Sequence, residues 1–264
     1  MENIPKNVKD KLKLVFKVIM LKKLHKPRIP IEIFEKEEHW ARPELAKLYE
    51  DTVKLVKIVV KNTLPFVEKI IEGYKVGFPK KIVLMSSFEY LGEIEPALEP
   101  ISEEYEDSYG LYSTASQTIY LNMTGFFRFR NIVRHTLNGL VNWGKIKQEE
   151  MEEATICVTE LKVIETLVHE DLHHIYFLKC SPAKNWFMEE WDVDVFESLY
   201  TPAVLYAYLD CNDDQFKKYM NYESLVENGR PIPRKDLRGL LAMAQEMLKR
   251  ILAGDVEDIC QLSA

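Results

Sequence analysis

Residues 165–177 read ETLVHEDLHHIYF, and within them His169, Glu170 and His173 form an HExxH motif. Because residues i and i+4 lie on one face of a helix, the two imidazoles can bind the same cation. Glu170 follows the first histidine and can reach a water on that cation without being a ligand itself. Residues 145–181 contain no proline or glycine, which favours a buried helix here. The motif therefore predicts a helical zinc site with an open coordination position.

Residues 186–194, WFMEEWDVD, form a second helical pattern shortly after the motif. Glu190 and Asp194 are four residues apart, so they share one helix face with Phe187 and Trp191. Carboxylates on an aromatic face are costly unless they meet a cation or a hydrogen-bond donor. One interpretation makes Glu190 the third metal ligand and Asp194 an acceptor for a ligand imidazole. The other interpretation is a solvated acidic patch.

Together these two segments resemble the zincin metallopeptidases of the gluzincin type, a similarity that covers roughly residues 80–200. The resemblance implies a small sheet, an active-site helix with the HExxH motif and a following helix that supplies a glutamate. It implies that His169 and His173 are ligands of one Zn²⁺ ion and that Glu170 is the general base.

The resemblance offers two choices for the third ligand. Thermolysin-like ExxxD spacing selects Glu190, with Asp194 behind a ligand imidazole. Aminopeptidase-like WxxE spacing selects Glu189 instead, three residues after Trp186. We expect Glu190 to be the ligand, because only Glu190 is followed four residues later by an acid.

The chain also departs from these peptidases, so no specific family is assigned. Asp171 stands where they usually carry an uncharged residue, the interval from His173 to the glutamate is short for the aminopeptidases, and no GAMEN-like motif is present. The resemblance implies a zinc metallopeptidase that cleaves a peptide or protein substrate. The alternative is a zinc-binding but degenerate peptidase that serves as a sensor, a scaffold or a peptide-binding module.

Two further features have open roles at this stage. The strand predicted at Gln117–Asn122 either offers an open edge to an extended peptide or is an ordinary sheet member. Hydrolysis also needs a transition-state donor. The residues near the motif that could donate, each of which also suits a structural role, are Tyr200, Tyr206, Tyr208 and His174.

The composition excludes several classes of protein. The 264 residues include 35 Lys and Arg against 42 Asp and Glu, a formal charge of −7, which disfavours a dedicated nucleic-acid binder. No apolar stretch is long enough to predict a transmembrane segment. The cysteines have no CxxC spacing, so we expect reduced core thiols in a cytoplasmic protein, with one bridged pair as the alternative. They are Cys157, Cys180, Cys211 and Cys260.

The predicted fold is α+β and mostly helical. A long helix is expected at Pro43–Tyr74, and the β-branched run Ile82–Met85 predicts a strand. We expect an N-terminal helical segment at residues 1–75, a zincin-like metal-binding domain at 76–210, and C-terminal helices at 211–264.

The N-terminus is strongly basic. Residues 1–28 contain nine Lys and Arg against two acids, a net charge of +7, so the remainder carries −14. Apolar residues recur among the lysines at helical spacing, namely Val8, Leu12, Val15, Phe16, Ile19 and Met20. Three interpretations stay open: a first helix of the fold with solvated lysines, contact of residues 6–26 with an anionic membrane surface, or a docking or inhibitory segment. The sequence carries no signal for an oligomeric state.

Overall fold

A computed structural model describes residues 6–36, 42–96, 98, 107–180 and 186–260. The described residues form eight α-helices and a four-stranded sheet, which confirms the α+β, mostly helical prediction. The helices are α1 (Lys6–Leu24), α2 (Pro43–Tyr74), α3 (Leu91–Ile94), α4 (Met123–Asn142), α5 (Met151–Lys179), α6 (Trp186–Tyr208), α7 (Asp213–Asn228) and α8 (Arg234–Ala253). The strands are β1 (Ile31–Phe34), β2 (Lys81–Met85), β3 (Gly110–Ser113) and β4 (Thr118–Asn122).

The ends of α2 show why the bounds of this helix can be predicted from the sequence. Pro43 occupies the first turn, where its missing N–H costs nothing, and the helix stops where Lys75 adopts a left-handed conformation. Pro65 lies inside the helix without ending it. The predicted bounds Pro43–Tyr74 are therefore confirmed.

The sheet has the order β1-β2-β4-β3. β1, β2 and β4 are parallel, and β3 pairs antiparallel with β4, with Leu111 opposite Tyr120. The strand predicted at Gln117–Asn122 is therefore internal, and its interpretation as an open edge is wrong. The edge on that side is β3, which the sequence analysis did not identify because four residues carry too little pattern.

The HExxH helix α5 runs through the middle of the protein. Its apolar side chains Leu167, Leu172 and Ile175 are fully buried, and it packs against α2, α4 and α6. One hydrophobic core draws side chains from all three predicted segments, for example Val56, Leu167 and Leu248. Burial on nearly every side fixes the position of α5 and hence of the histidines that it carries.

The cysteine prediction is partly wrong. Cys180 and Cys260 form a disulfide, while Cys157 and Cys211 are free and buried. Cys180 follows the last residue of α5, so the bridge joins the end of the HExxH helix to a segment 80 residues further along the chain. Sequence spacing cannot identify such a pair, because the distance between the two residues is set by the tertiary fold.

The N-terminal helix is present as predicted, but only part of its predicted apolar stripe is covered: Val15, Ile19 and Met20 are half-buried. Leu14 and Val18 are the buried side chains among the described residues of α1, whereas Val8, Leu12 and Phe16 are exposed. Among the described residues, no helix has the length and apolar character needed to cross a membrane.

Candidate metal centre

The metal-site residues meet where α5 ends and α6 begins. His169 and His173 lie in the last three turns of α5, and Glu189 and Glu190 lie in the first two turns of α6. The short interval between the helices brings these turns together. The side chains of residues 186–188, including Phe187 of the predicted aromatic face, lie outside the described part of the chain, and Trp191 of that face is 60% exposed.

Three side chains converge on one point. Nε2 of His169 lies 3.1 Å from Nε2 of His173, and the Glu190 carboxylate lies 3.8 Å from the first and 3.5 Å from the second. Ligand atoms of a tetrahedral zinc ion lie about 3.3–3.5 Å apart when each bond is about 2.0–2.2 Å. The donor set His169, His173 and Glu190 therefore fits a single divalent cation.

Carboxylates on α6 contact the Nδ1 atom of each histidine, on the side of the ring opposite the shared point. Nδ1 of His169 lies 2.6 Å from Glu197, and Nδ1 of His173 lies 3.0 Å from Glu189. When each Nδ1–H donates to its carboxylate, both Nε2 lone pairs face the shared point. Two lone pairs 3.1 Å apart would repel each other, and either a proton on one of the two nitrogens or a metal ion between them removes that repulsion.

The roles of the α6 acids differ in part from expectation. Glu190 faces the point of convergence as predicted. Glu189, the alternative third ligand, instead contacts Nδ1 of His173, the ring nitrogen that is directed away from that point. Asp194 is 3.9 Å from Nδ1 of His169 and its side chain is 68% exposed, so the contact expected of Asp194 is made by Glu197. Glu197 follows Glu190 by two helical turns, and extending the predicted face by one turn would have found it.

Glu170 lies beside the convergence point and is 7% exposed. Its carboxylate accepts a hydrogen bond from the backbone N–H of Tyr112 in β3. Burial raises the pKa of Glu170 and Glu190 adds to the rise, whereas the two histidines oppose it. A carboxylate whose pKa lies above its ordinary value is suited to exchange protons near neutral pH.

An open cleft of about 730 Å³ contains these groups. The edge strand β3 and the residues before it form one wall, and α5 and α6 form the other. Gly110 of β3 is packed so closely against α5 that an added Cβ would lie 2.6 Å from Oε1 of Glu170 and from Cγ2 of Thr166. Sequence reasoning missed Gly110, because nothing local marks a strand glycine as facing a helix.

The four candidate donors have structural partners instead. Tyr200 bonds to Tyr74, Tyr206 to Asp213 and Tyr208 to Glu160, while His174 bonds to the Gly77 carbonyl and the Tyr112 hydroxyl. None of these four side chains lines the cleft.

Asp171 also lies away from the cleft. Its side chain is 1% exposed, and burial together with nearby Glu68 raises its pKa well above the ordinary value. The Asp171 side chain is therefore directed into the core and away from the metal face, and a neutral carboxyl group is favoured there.

Comparison with known proteins identified no matching family model, no matching curated protein and no matching solved structure. The site is therefore interpreted from its own geometry.

We expect the purified protein to bind one divalent cation, and His173→Ala to lose it. The substitution removes one of the three donors. It also removes the imidazole that lies between the carboxylates of Glu189 and Glu190. Metal content after dialysis against zinc measures the effect, with the exposed His135→Ala as the matched control. Equal zinc in the wild-type protein and His173→Ala would contradict the ligand assignment.

Zinc binding is expected to release protons. Burial alone would lower the pKa of His173, but its contacts with Glu189 and Glu190 raise it to about 10, and contact with Glu197 raises that of His169. Both imidazoles must lose their protons to bind metal, so zinc affinity should rise with pH until about pH 10, where His173 is deprotonated without the metal. In the metal-free protein, the raised pKa of His173 stabilises the fold below about pH 6.5, and this contribution is lost as the pH rises through 10.

Titration calorimetry in buffers of different ionisation enthalpy counts the released protons. Glu189→Gln removes a cause of the raised His173 pKa, so this variant should release fewer protons at neutral pH. Glu149→Gln, whose side chain is 76% exposed, is the matched control. Zinc binding without proton release at neutral pH would contradict the prediction.

Proposed function

We propose that the protein is a zinc-dependent metallopeptidase of the gluzincin type. The observation that carries the proposal is the convergence of His169, His173 and Glu190 beside a buried glutamate in an open cleft. Metal ligands alone are common in structural sites, but a structural zinc site is normally closed by four protein ligands. Three donors with an adjacent carboxylate are the arrangement used for hydrolysis.

Each residue of the site would have a distinct role in peptide hydrolysis. His169, His173 and Glu190 would hold the ion, and Glu197 and Glu189 would keep the two rings in the required tautomer and orientation. When bound, zinc would polarise the substrate carbonyl and lower the pKa of a water towards neutrality. Glu170 would accept a proton from the attacking water and deliver it to the leaving amine.

The edge strand β3 supports a peptide as the substrate. Among the described residues β3 pairs with β4 alone, and residues of β3 line the cleft, where the backbone N–H of Tyr112 already donates to Glu170. An extended peptide can add to such an edge through main-chain hydrogen bonds, which places its backbone beside the reactive groups irrespective of its side chains.

The charge of the cleft favours cationic peptides. Six acids line it, against the cations Lys162, His169 and His173, and Lys162 is itself paired with Glu165 at 2.7 Å. An adjoining cavity of about 320 Å³ adds Glu223, whose pKa is raised to about 8 by burial and by neighbouring carboxylates, so it adds negative charge only above that pH or beside a bound cation. Unstructured peptides rich in lysine and arginine are therefore the first substrates to test.

Asp171 replaces the uncharged residue usual in these peptidases, and a charge beside the metal would favour a degenerate, non-catalytic site. In the structure it is buried on the side of α5 away from the cleft, so it exerts no steric hindrance on the metal face. The non-catalytic alternative is distinguished by experiment, since it predicts peptide binding without cleavage.

Glu170→Gln should retain zinc and lose hydrolysis. The amide has nearly the same shape but cannot take up a proton, so the rate should fall by about 100-fold or more. Fluorescence-quenched peptides measure cleavage with and without a zinc chelator, and Glu149→Gln is the control.

Hydrolysis that survives in Glu170→Gln would show that this residue is not the base. Zinc-loaded protein that binds the peptides but cleaves none of them would instead favour the peptide-binding module.

Gly110→Ala should lower hydrolysis about tenfold or more without loss of zinc, because a group displaced from a reactive geometry loses the benefit of orientation. The new Cβ would overlap Oε1 of Glu170 and force that carboxylate to turn away, while the three metal donors are untouched. Gly139→Ala is the matched control, since an added Cβ there meets nothing within 4 Å. Unchanged kcat/KM in Gly110→Ala would contradict the close approach of β3 to the base.

A further inference from the structure

The outward face of α1 combines exposed apolar side chains with lysines. Among the described side chains of this helix, Leu14 and Val18 are buried against the rest of the protein. The opposite face carries large apolar side chains in a row whose spacing is one helical turn or two, each between 43% and 68% exposed. They are Val8, Leu12, Phe16 and Leu24, and we call them the α1 apolar row.

This row differs from the other exposed apolar residues of the protein. It holds four of the eleven large apolar side chains that are exposed in the described chain, whereas the other seven are divided among five elements and one turn. Single exposed apolar residues are ordinary on a protein surface, but a contiguous row marks an interaction site.

Lysines flank the row on both sides. They form two groups, of which the first attaches the helix to the protein: Lys11 pairs with Asp213 at 2.6 Å and Lys22 pairs with Asp210 at 2.7 Å. The lysines of the second group are exposed, and none has an ion-pair partner among the described residues. They are Lys9, Lys13, Lys17, Lys23 and Lys26, and we call them the outer lysines.

We propose that α1 docks the protein on an anionic membrane surface through the α1 apolar row and the outer lysines. A helix lying in the interface places its apolar side chains at the boundary between headgroups and acyl chains. Lysine stems can follow them and extend their ammonium groups back to the lipid phosphates. The row is already exposed, so docking requires no rearrangement of the fold.

Charge complementarity favours a membrane over the other occupants. Nucleic acid would use the outer lysines but would leave Phe16, at 64% exposure, in water. A purely apolar protein groove would cover Phe16 but would leave the lysines without counter-charges. The net charge of +7 in residues 1–28, against −14 in the remainder, also orients α1 towards an anionic surface and the acidic body away from it.

Vesicle sedimentation tests the proposal on the full-length protein. The wild-type protein should sediment with phosphatidylcholine vesicles that contain about 30% phosphatidylglycerol, and should stay in solution with phosphatidylcholine alone. Added salt should weaken the binding, because part of it is electrostatic. The double variant Leu12→Glu with Phe16→Glu should lower the bound fraction about tenfold or more.

The matched control is the double variant Ile58→Glu with Ile132→Glu, which makes the same change at exposed positions of α2 and α4. It should bind vesicles like the wild-type protein, and thermal melting should show that both double variants are folded. The proposal is overturned if the wild-type protein does not bind the anionic vesicles or binds neutral and anionic vesicles equally. It is also overturned if the control double variant loses as much binding as the Leu12→Glu, Phe16→Glu variant. A dimer in solution that Phe16→Glu dissociates would assign the row to a second copy and would likewise overturn it.

Discussion

The convergence of two imidazole lone pairs is the constraint on which the site depends. Nε2 of His169 and of His173 lie 3.1 Å apart, and Glu197 and Glu189 hold the opposite nitrogens of the same rings. The carboxylates fix the orientation of both rings, so the repulsion between the Nε2 lone pairs is relieved when His173 is protonated or when a metal ion lies between the two nitrogens. The partly buried carboxylates therefore need a nearby positive charge, which protonated histidines supply in the metal-free protein and a metal ion can supply in their place.

Packing of two helices and one strand supports that constraint. α5 is buried on nearly every side, which fixes the backbone that carries the histidines, while α6 contributes the carboxylates paired with the two rings. β3 approaches α5 so closely that glycine is the residue that fits at position 110. The same approach lets the backbone of Tyr112 bind the Glu170 carboxylate. The sheet edge therefore positions the proposed base as well as the wall of the cleft.

Charge is distributed so that two parts of one chain suit different partners. The cleft is lined mainly by acids, whereas α1 presents lysines beside exposed apolar residues. A net charge of −7 for the whole chain conceals this separation. Long-range fields follow local charge rather than the sum, so the cleft and α1 attract ligands of opposite sign.

Features that depend on residues close in the chain were determined by the sequence alone. The bounds of α2, the HExxH helix and the orientation of Glu190 towards it follow from helical spacing over short intervals. Features that depend on distant residues were decided by the tertiary structure. They are the edge position of β3, the choice of Glu197 over Asp194, the Cys180–Cys260 bridge and the exposed row on α1. The physical reason is that periodicity determines which residues share a face, whereas only packing determines what that face meets.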